Sequence, residues 1–398
     1  MAHSIGWVAL ALLACTGPGE RVGVGVERSE PVAIPLGGCS WYHTAVLQVG
    51  GTSMHVSVDT GSATLAVSAL GCVTCEEDGV TELYDPESGT DQEQSASGSY
   101  GNGGHTWEGE VFRDHVNLAG ISPIEVDFAA VSEQNNQFAA RTCDADRVAN
   151  QTMVSGILGL APDESLVGGT DSYMSAIVAE GSFPDAFAMQ LCHSGGTLWI
   201  GGYDESYTTA PMDFSPMVVE DEYSRHYSVE VTSIQVVQDT ANVVISVSDH
   251  EESLPALLDS GGPYLLVPDV AYQTIVATIS ADPSFAMLGG SEWWAGNQDT
   301  NTEVSPEEID AILPHILVDV VGSPPFQLSL APSESYLGWS HDPGGSYSYW
   351  PMLYSDTVMP EQYANFLGLG NLPMASYVVL HDRANARIGF APARDCAG

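Results

Sequence analysis

Lysine is absent from this 398-residue chain, and its only strong bases are nine arginines, set against 52 acids for a formal charge of −43. Charged residues make up 15% of the chain, where an ordinary soluble domain has about 25%, so the imbalance reflects missing bases more than surplus acids. Nucleic-acid binding requires clustered Lys and Arg to neutralise phosphates, and no such cluster exists. A polybasic membrane patch is excluded for the same reason. No late apolar run reaches the ~18 residues of a membrane helix, so no C-terminal anchor is expected. GxSxG, HExxH and P-loop motifs are all missing, and acidic pairs such as Asp204–Glu205 and Glu251–Glu252 do not fit EF-hand spacing, so no metal site is expected. What is present is a folding composition: 44% hydrophobic residues, with 8 Trp and 16 Tyr, which argues against disorder. The length suggests two domains.

The N-terminus reads as an export signal. Residues 5–14 form an apolar run of ten, too short to span a bilayer at about 20 residues but suited to a signal-peptide core. Its end, Leu12-Leu13-Ala14-Cys15, resembles a bacterial lipobox, which would make Cys15 the lipidated first residue of the mature chain and the only link to a membrane. The alternative is an ordinary secretory signal that contains a cysteine. Seven cysteines are present, an odd number for an exported protein. With Cys15 lipidated, six remain for three disulfides in an oxidising compartment. Cys72-Val73-Thr74-Cys75 could be a redox pair, but no βαβ pattern surrounds it, and closure of a small loop is the better reading. Residues 16–38, rich in Gly, Val, Pro and Glu, read as a tether or short leader.

Helical periodicity is confined to residues 171–180 and 269–279. Elsewhere short β-branched and aromatic runs alternate with Gly, Pro, Asp and Ser, an all-β texture. Residues 43–49, 55–58, 111–118, 197–201, 227–236 and 377–380 are predicted strands, while 83–104 is polar and turn-rich. One local pattern occurs twice. Met54-His-Val-Ser-Val-Asp59-Thr60-Gly61-Ser62 is an apolar strand running into Asp-hydroxyl-Gly, and Pro255-Ala-Leu-Leu-Asp259-Ser260-Gly261-Gly262 repeats it. Each is followed downstream by an apolar-and-Gly segment, Gly156-Ile-Leu-Gly159-Leu and Leu367-Gly-Leu-Gly370. The chain therefore reads as two related β-rich halves.

A single Asp-Thr-Gly is weak evidence, since Asp and Gly are at home in any turn. Two in matching contexts say more. A carboxylate at the end of a buried strand is costly without partners. The hydroxyls of Thr60 and Ser260 can bond across and lock the loops together, and Gly61 and Gly261 let backbone approach the carboxylates. Two carboxyls held about 3 Å apart share a proton, giving an acid and a base in one site. Such a pair can activate water and protonate a leaving amine.

With these features the sequence resembles a pepsin-type (family A1) aspartic endopeptidase from about Trp41 to Cys396. The resemblance implies an all-β, bilobal fold with a cleft between an N-terminal lobe (39–202) and a C-terminal lobe (203–398), after a signal peptide or lipobox (1–15) and the leader. It implies Asp59 and Asp259 as the catalytic dyad, braced by Thr60, Gly61, Ser62, Ser260 and Gly261. Ser99-Tyr100-Gly101-Asn102-Gly103 resembles the start of the family's substrate-covering flap, with Tyr100, Gly101 and Trp107 as flap or substrate-binding residues. The stretch from Gly370-Asn371-Leu372 through Tyr377–Ala391 resembles the family's terminal strands. Within the family, Ala66 after Asp59-Thr-Gly-Ser, Trp107-Glu-Gly-Glu110 and Phe187-Ala-Met-Gln-Leu-Cys192 tilt the likeness toward the β-secretase (memapsin) branch. That branch implies Cys192–Cys396, with Cys72–Cys75 and Cys39–Cys143 following. The departures are Gly262 where pepsins carry Thr, Ser or Ala; two extra residues between Tyr100 and Trp107; Asn371 for a common Asp; and no long basic propeptide. The implied activity is hydrolysis of internal bonds in an extended polypeptide by an exported monomer, with no metal, cofactor or acyl-enzyme. A catalytically silent binding protein of the same fold is the alternative, kept open by Gly262.

Overall fold

The structure is a computed structural model that describes residues 30–101, 103–142, 151–181, 183–219, 225–238, 241–246, 253–295, 300–342, 344–358 and 367–394. The export signal with Cys15, most of the expected leader, Cys143 and Cys396 lie outside these residues. Strands dominate. The longest, His105–Leu118, shows why: Trp107, Gly109 and Val111 are buried in alternation, and then, after a shift of one, Asp114, Val116 and Leu118. Period-two burial of this kind places one side-chain row in the core and the other in solvent.

Two large sheets carry most of the described strands, beside a three-stranded and a two-stranded one. A 13-stranded sheet runs in the order Asp213–Pro216, Arg387–Pro392, Tyr377–Asp382, Phe187–Leu191, Ser194–Ile200, Val32–Cys39, Tyr42–Val49, Thr52–Asp59, Gly156–Gly159, Leu65–Ser68, Ile124–Asn135, His105–Leu118 and Thr90–Tyr100. An eight-stranded sheet, wholly from the second half, is centred on Ser228–Gln238, Leu254–Leu258 and Leu367–Leu369. One apolar cluster joins the two, from Ile34 and Val58 to Val229, Leu258 and Leu369.

The internal repeat has a structural counterpart. Strand Thr52–Asp59 lies parallel to Gly156–Gly159, with Asp59 opposite Gly159. Strand Leu254–Leu258 lies parallel to Leu367–Leu369, with Leu258 opposite Leu369. Each Gly-containing strand also pairs antiparallel with the strand that follows its Asp loop. The glycines are steric requirements. A Cβ on Gly159 would sit 2.4 Å from the Ala63 carbonyl carbon, and one on Gly370 would sit 2.3 Å from the Gly262 oxygen.

Several expectations change. Residues 32–38, read as part of a leader, belong to strand Val32–Cys39, because Ile34 and Leu36 alternate into the core and pair with Leu198 and Gly196. A division at 202/203 does not separate the sheets, since Tyr377–Asp382 pairs with Phe187–Leu191 inside the first half's sheet. The polar stretch 83–104 contains strand Thr90–Tyr100, whose side chains are mostly exposed and so give no apolar alternation. The two helical patterns form Tyr173–Ala179, capped by the Ser172 side chain, and Asp269–Ser280. A further helix, Pro306–Ile312, is closed by a Ser305/Glu308 capping box. Cys72 and Cys75 are bonded to one another and fully buried, which suits loop closure and leaves no accessible redox sulfur. Cys39 and Cys192 are each disulfide-bonded; their expected partners are outside the described residues.

His381 is a buried polar group in an apolar place. It stacks on Phe187 at 4.4 Å between ring centroids, and both ring nitrogens lack a hydrogen-bond partner among the described residues. Burial, then the charge of Arg383, lowers its pKa to about 3. An unfolded histidine binds a proton below about 6.5 while this one does not, so its contribution to stability falls as pH drops from 6.5 toward 3. His381→Phe keeps the stacked shape and removes the orphaned nitrogens. It is expected to stabilise the fold by about 1–3 kcal/mol at neutral pH, and by more at pH 4, in paired thermal melts.

Candidate active site

The two Asp loops meet where the halves meet. Asp59 ends the strand Thr52–Asp59 and is buried, with 5% exposure; Asp259 follows Leu254–Leu258 and is partly exposed. Between them, Thr60 and Ser260 form a closed set of four hydrogen bonds. The Thr60 N–H donates to Ser260 Oγ at 3.0 Å, and the Ser260 N–H donates to Thr60 Oγ1 at 2.9 Å. The Thr60 hydroxyl donates to the Leu258 carbonyl and the Ser260 hydroxyl to the Val58 carbonyl, both at 2.8 Å. Each hydroxyl gives one bond and receives one, and both residues are essentially inaccessible to water. In such a setting every bond is costly to lose, because its partner would be left buried and unpaired.

This bracing sets the carboxylates face to face. A Cβ on Gly61 would lie 2.5 Å from Asp259 Oδ1, and one on Gly261 would lie 2.5 Å from Asp59 Oδ1. Each glycine N–H instead donates to its own loop's Asp Oδ1 at 2.8 Å. The two carboxyls share a hydrogen bond. Burial, then the charge of Asp259, pushes Asp59 up to about 7. Burial raises Asp259 as well, opposed by the Gly261 N–H, the bond to Asp59, His226 and the Gly262 N–H. A pair in this state retains one proton over a wide range of pH.

The outer oxygens differ. Ser62 donates to Asp59 Oδ2 at 2.5 Å. The corresponding residue beside Asp259 is Gly262, which has no hydroxyl. Space for one exists, since a Cβ there would be 3.5 Å from Asp259 Oδ2 and 3.5 Å from the Tyr264 ring, ordinary contact distances. Gly262→Ser is therefore expected to place a donor on Asp259 and stabilise its anion. The acid limb of kcat/KM against pH should move down by about 1 on the pH scale.

The flap residues sit over Asp59. Tyr100 ends strand Thr90–Tyr100 and pairs with His105 across the hairpin turn. Gly101 and Gly103 take φ of 56° and 77° in that turn, a left-handed conformation that glycine adopts without strain. The Trp107 Nε1–H donates to the Tyr100 hydroxyl at 3.2 Å. Ser62, which bonds Asp59, is among the groups acting on that hydroxyl. Burial, then the charge of Asp59, pushes Tyr100 up to about 12, so it stays a neutral hydroxyl. At another point of the boundary, Trp41 of the first half stacks on Trp350 of the second at 5.6 Å.

Sequence reading missed two neighbours of the dyad. Tyr264 packs beside Gly262 and stacks edge-on with Tyr354 at 5.3 Å. His226 lies opposite the Asp259 loop, and its ionisation responds to Asp259. Asn371, noted for replacing an acid, anchors its N–H on the Gly262 carbonyl at 2.8 Å. Its carboxamide is buried and makes no hydrogen bond among the described residues.

The chain is similar to known proteases. A beta-secretase of Strongylocentrotus purpuratus is 24% identical over 410 residues, which span 94% of this chain and 70% of that protein. Pepsin A of Sus scrofa is 26% identical over 343 residues, spanning 85% of this chain and 77% of that one. An aspartic protease of Phaffia rhodozyma is 23% identical over 252 residues, spanning 63% and 56%. The sequence profile described as eukaryotic aspartyl protease matches residues 42–393, which is almost all of the folded chain. The chain belongs to that family and is a peptide hydrolase of pepsin type.

Proposed function

We propose that the protein is an endopeptidase in which Asp59 and Asp259 activate one water between them. The observation that carries this reading is the reciprocal approach of the two loops, each glycine facing the opposite carboxylate. The roles divide by which carboxyl keeps the shared proton. Each accepts its own loop's glycine N–H, and the Ser62 hydroxyl, which can donate or accept, tolerates a protonated Asp59. Asp59 is the carboxyl pushed up to about 7, by burial and then by the charge of Asp259, so Asp59 keeps the proton and Asp259 is the anion. Asp259 then takes a proton from water as the water oxygen bonds to the scissile carbonyl carbon. Asp59 gives its proton to the carbonyl oxygen, leaving a gem-diol. In the second step the proton on Asp259 passes to the amide nitrogen, the C–N bond breaks, and a gem-diol proton returns to Asp59. The hairpin bearing Tyr100 and Trp107 excludes water from the site, and an extended substrate binds along the cleft.

The test is incubation of the protein with a denatured protein mixture from pH 3 to 7, with and without a statine-type inhibitor, beside Asp59→Asn. Inhibitor-sensitive cleavage that disappears in the variant supports the reading. Its absence at every pH leaves the silent binding protein. We further propose export with Cys15 as the site of lipid attachment, which labelling with radioactive palmitate would report and Cys15→Ser would abolish.

A further inference from the structure

We propose that Arg225 and His226 form a cationic wall beside Asp259 that takes an acidic side chain of the substrate near the scissile bond. This rests on the peptidase reading and names a substrate preference for that site.

Position comes from strand register. Ser228 pairs with Leu257, and the Leu258 N–H donates to the Tyr227 carbonyl at 2.9 Å. One residue further along each chain, His226 comes opposite Asp259. The segment is also held from the first half, where the Ser165 hydroxyl donates to the Arg225 carbonyl. Arg225 and His226 thus lie where the halves meet, at the dyad.

Most of the other described arginines and several of the histidines are held by bonds that these two lack. Arg113 holds Asp127 with two bonds of 2.7 Å, Arg387 holds Asp382, and Arg383 reaches Asp163 and Asp185. Arg225 is exposed and has no ion pair among the described residues. His43, His55, His105 and His315 each have a ring nitrogen bonded to a carbonyl or carboxylate. The half-buried His226 ring has no hydrogen bond among the described residues, and its Nδ1 is sealed from water. Among the described residues, neither side chain is tied to a partner.

A chain of −43 repels acidic peptides. Two cations beside the dyad oppose that field locally. Burial is the largest influence on His226 and lowers its pKa below 6.5; among the described residues, the charge of Asp259 favours its proton and that of Arg225 opposes it. Arg225 is a cation at every working pH, whereas His226 adds its charge only on the acid side.

The test uses quenched-fluorescent peptides of one sequence, with Glu or Gln placed in turn at the three positions on each side of the scissile bond. The readout is the Glu/Gln ratio of kcat/KM at pH 5. At one position the ratio should be about ten. It should fall in Arg225→Gln and in His226→Gln, and approach one in the double variant. In the unmodified protein it should also decline as pH rises and His226 loses its proton, a decline that His226→Gln removes. Wild-type ratios of one at every position, or a ratio that persists in the double variant, overturn the inference while cleavage itself continues. Loss of all Asp59-dependent cleavage would instead bring down the peptidase reading and this inference with it.

Discussion

Asp59→Asn should lower kcat/KM by about 10⁴-fold or more while leaving the fold intact and, at neutral pH, more stable. The activity loss follows from removing one member of a pair that acts as a unit, where either deletion forfeits most of the chemistry. The stability gain follows from linkage. An ordinary Asp is ionised above about 4, but Asp59 holds its proton up to about 7. Between these values the native state binds more protons than the unfolded one, so stability falls as pH rises. The gap corresponds to roughly 4 kcal/mol lost by neutral pH. An amide in place of the carboxyl has no proton to lose, so the slope should flatten. Denaturant titrations from pH 4 to 7 would show it. A variant that retains both activity and the wild-type slope would be incompatible with the dyad.

The buried histidines pull the other way. His43 is lowered to about 4 and His381 to about 3, mainly by burial, and both make the fold less stable as pH falls below 6.5. Stability is therefore bounded on both sides, by imidazoles in acid and by the dyad near neutrality. This bears on the shortage of bases. Few bases spare the chain a large positive charge once its carboxyls protonate, which suits acid. Two neutral histidines in the core do not. The alternative of salt adaptation predicts activity near neutrality that requires molar salt, and a pH–salt grid of activity and melting temperature separates the two.

What could be read in the sequence was local and repeated. Asp59-Thr60-Gly61 and Asp259-Ser260-Gly261 stand out because a carboxylate, a cross-bonding hydroxyl and a glycine must be adjacent in the chain to do their work, and the fold needs them twice. Tyr100 and Trp107 were recognisable because one hairpin holds both. What escaped depends on pairing between distant segments. His226 has no motif, and its place opposite Asp259 exists only through the register of Ser228 with Leu257. The strand Thr90–Tyr100 hid behind polar side chains, since it is hydrogen-bonded through its backbone but buries little. The sharing of one sheet by Val32–Cys39 and Tyr377–Asp382 is a property of strand order, on which local alternation is silent.

Gly61→Ala is the sharpest test of the site's geometry, with an expected loss of about 10³-fold in kcat/KM. No positive φ forbids alanine at this position, and the side chain of residue 61 would not enter the apolar core. What it would meet is the opposite carboxylate, with the new methyl 2.5 Å from Asp259 Oδ1 and 2.8 Å from its Cγ. Real Cβ contacts do not come so close, so the carboxyl group must move. The four bonds of Thr60 and Ser260 resist separation of the loops, so the displacement falls on the Asp259 side chain, away from Asp59. Misplacement of a reacting group by about 1 Å costs on the order of 10² in rate, and loss of the shared proton adds to it. Parting the carboxyls also weakens the repulsion that holds one proton between them, so the basic limb of the pH–rate profile should move to lower pH. Gly261→Ala tests the same geometry from the other side, its methyl 2.5 Å from Asp59 Oδ1. Melting temperatures near wild type with both activities lost would tie the effect to the dyad. Wild-type activity in either variant would mean that the carboxylates do not face each other as described.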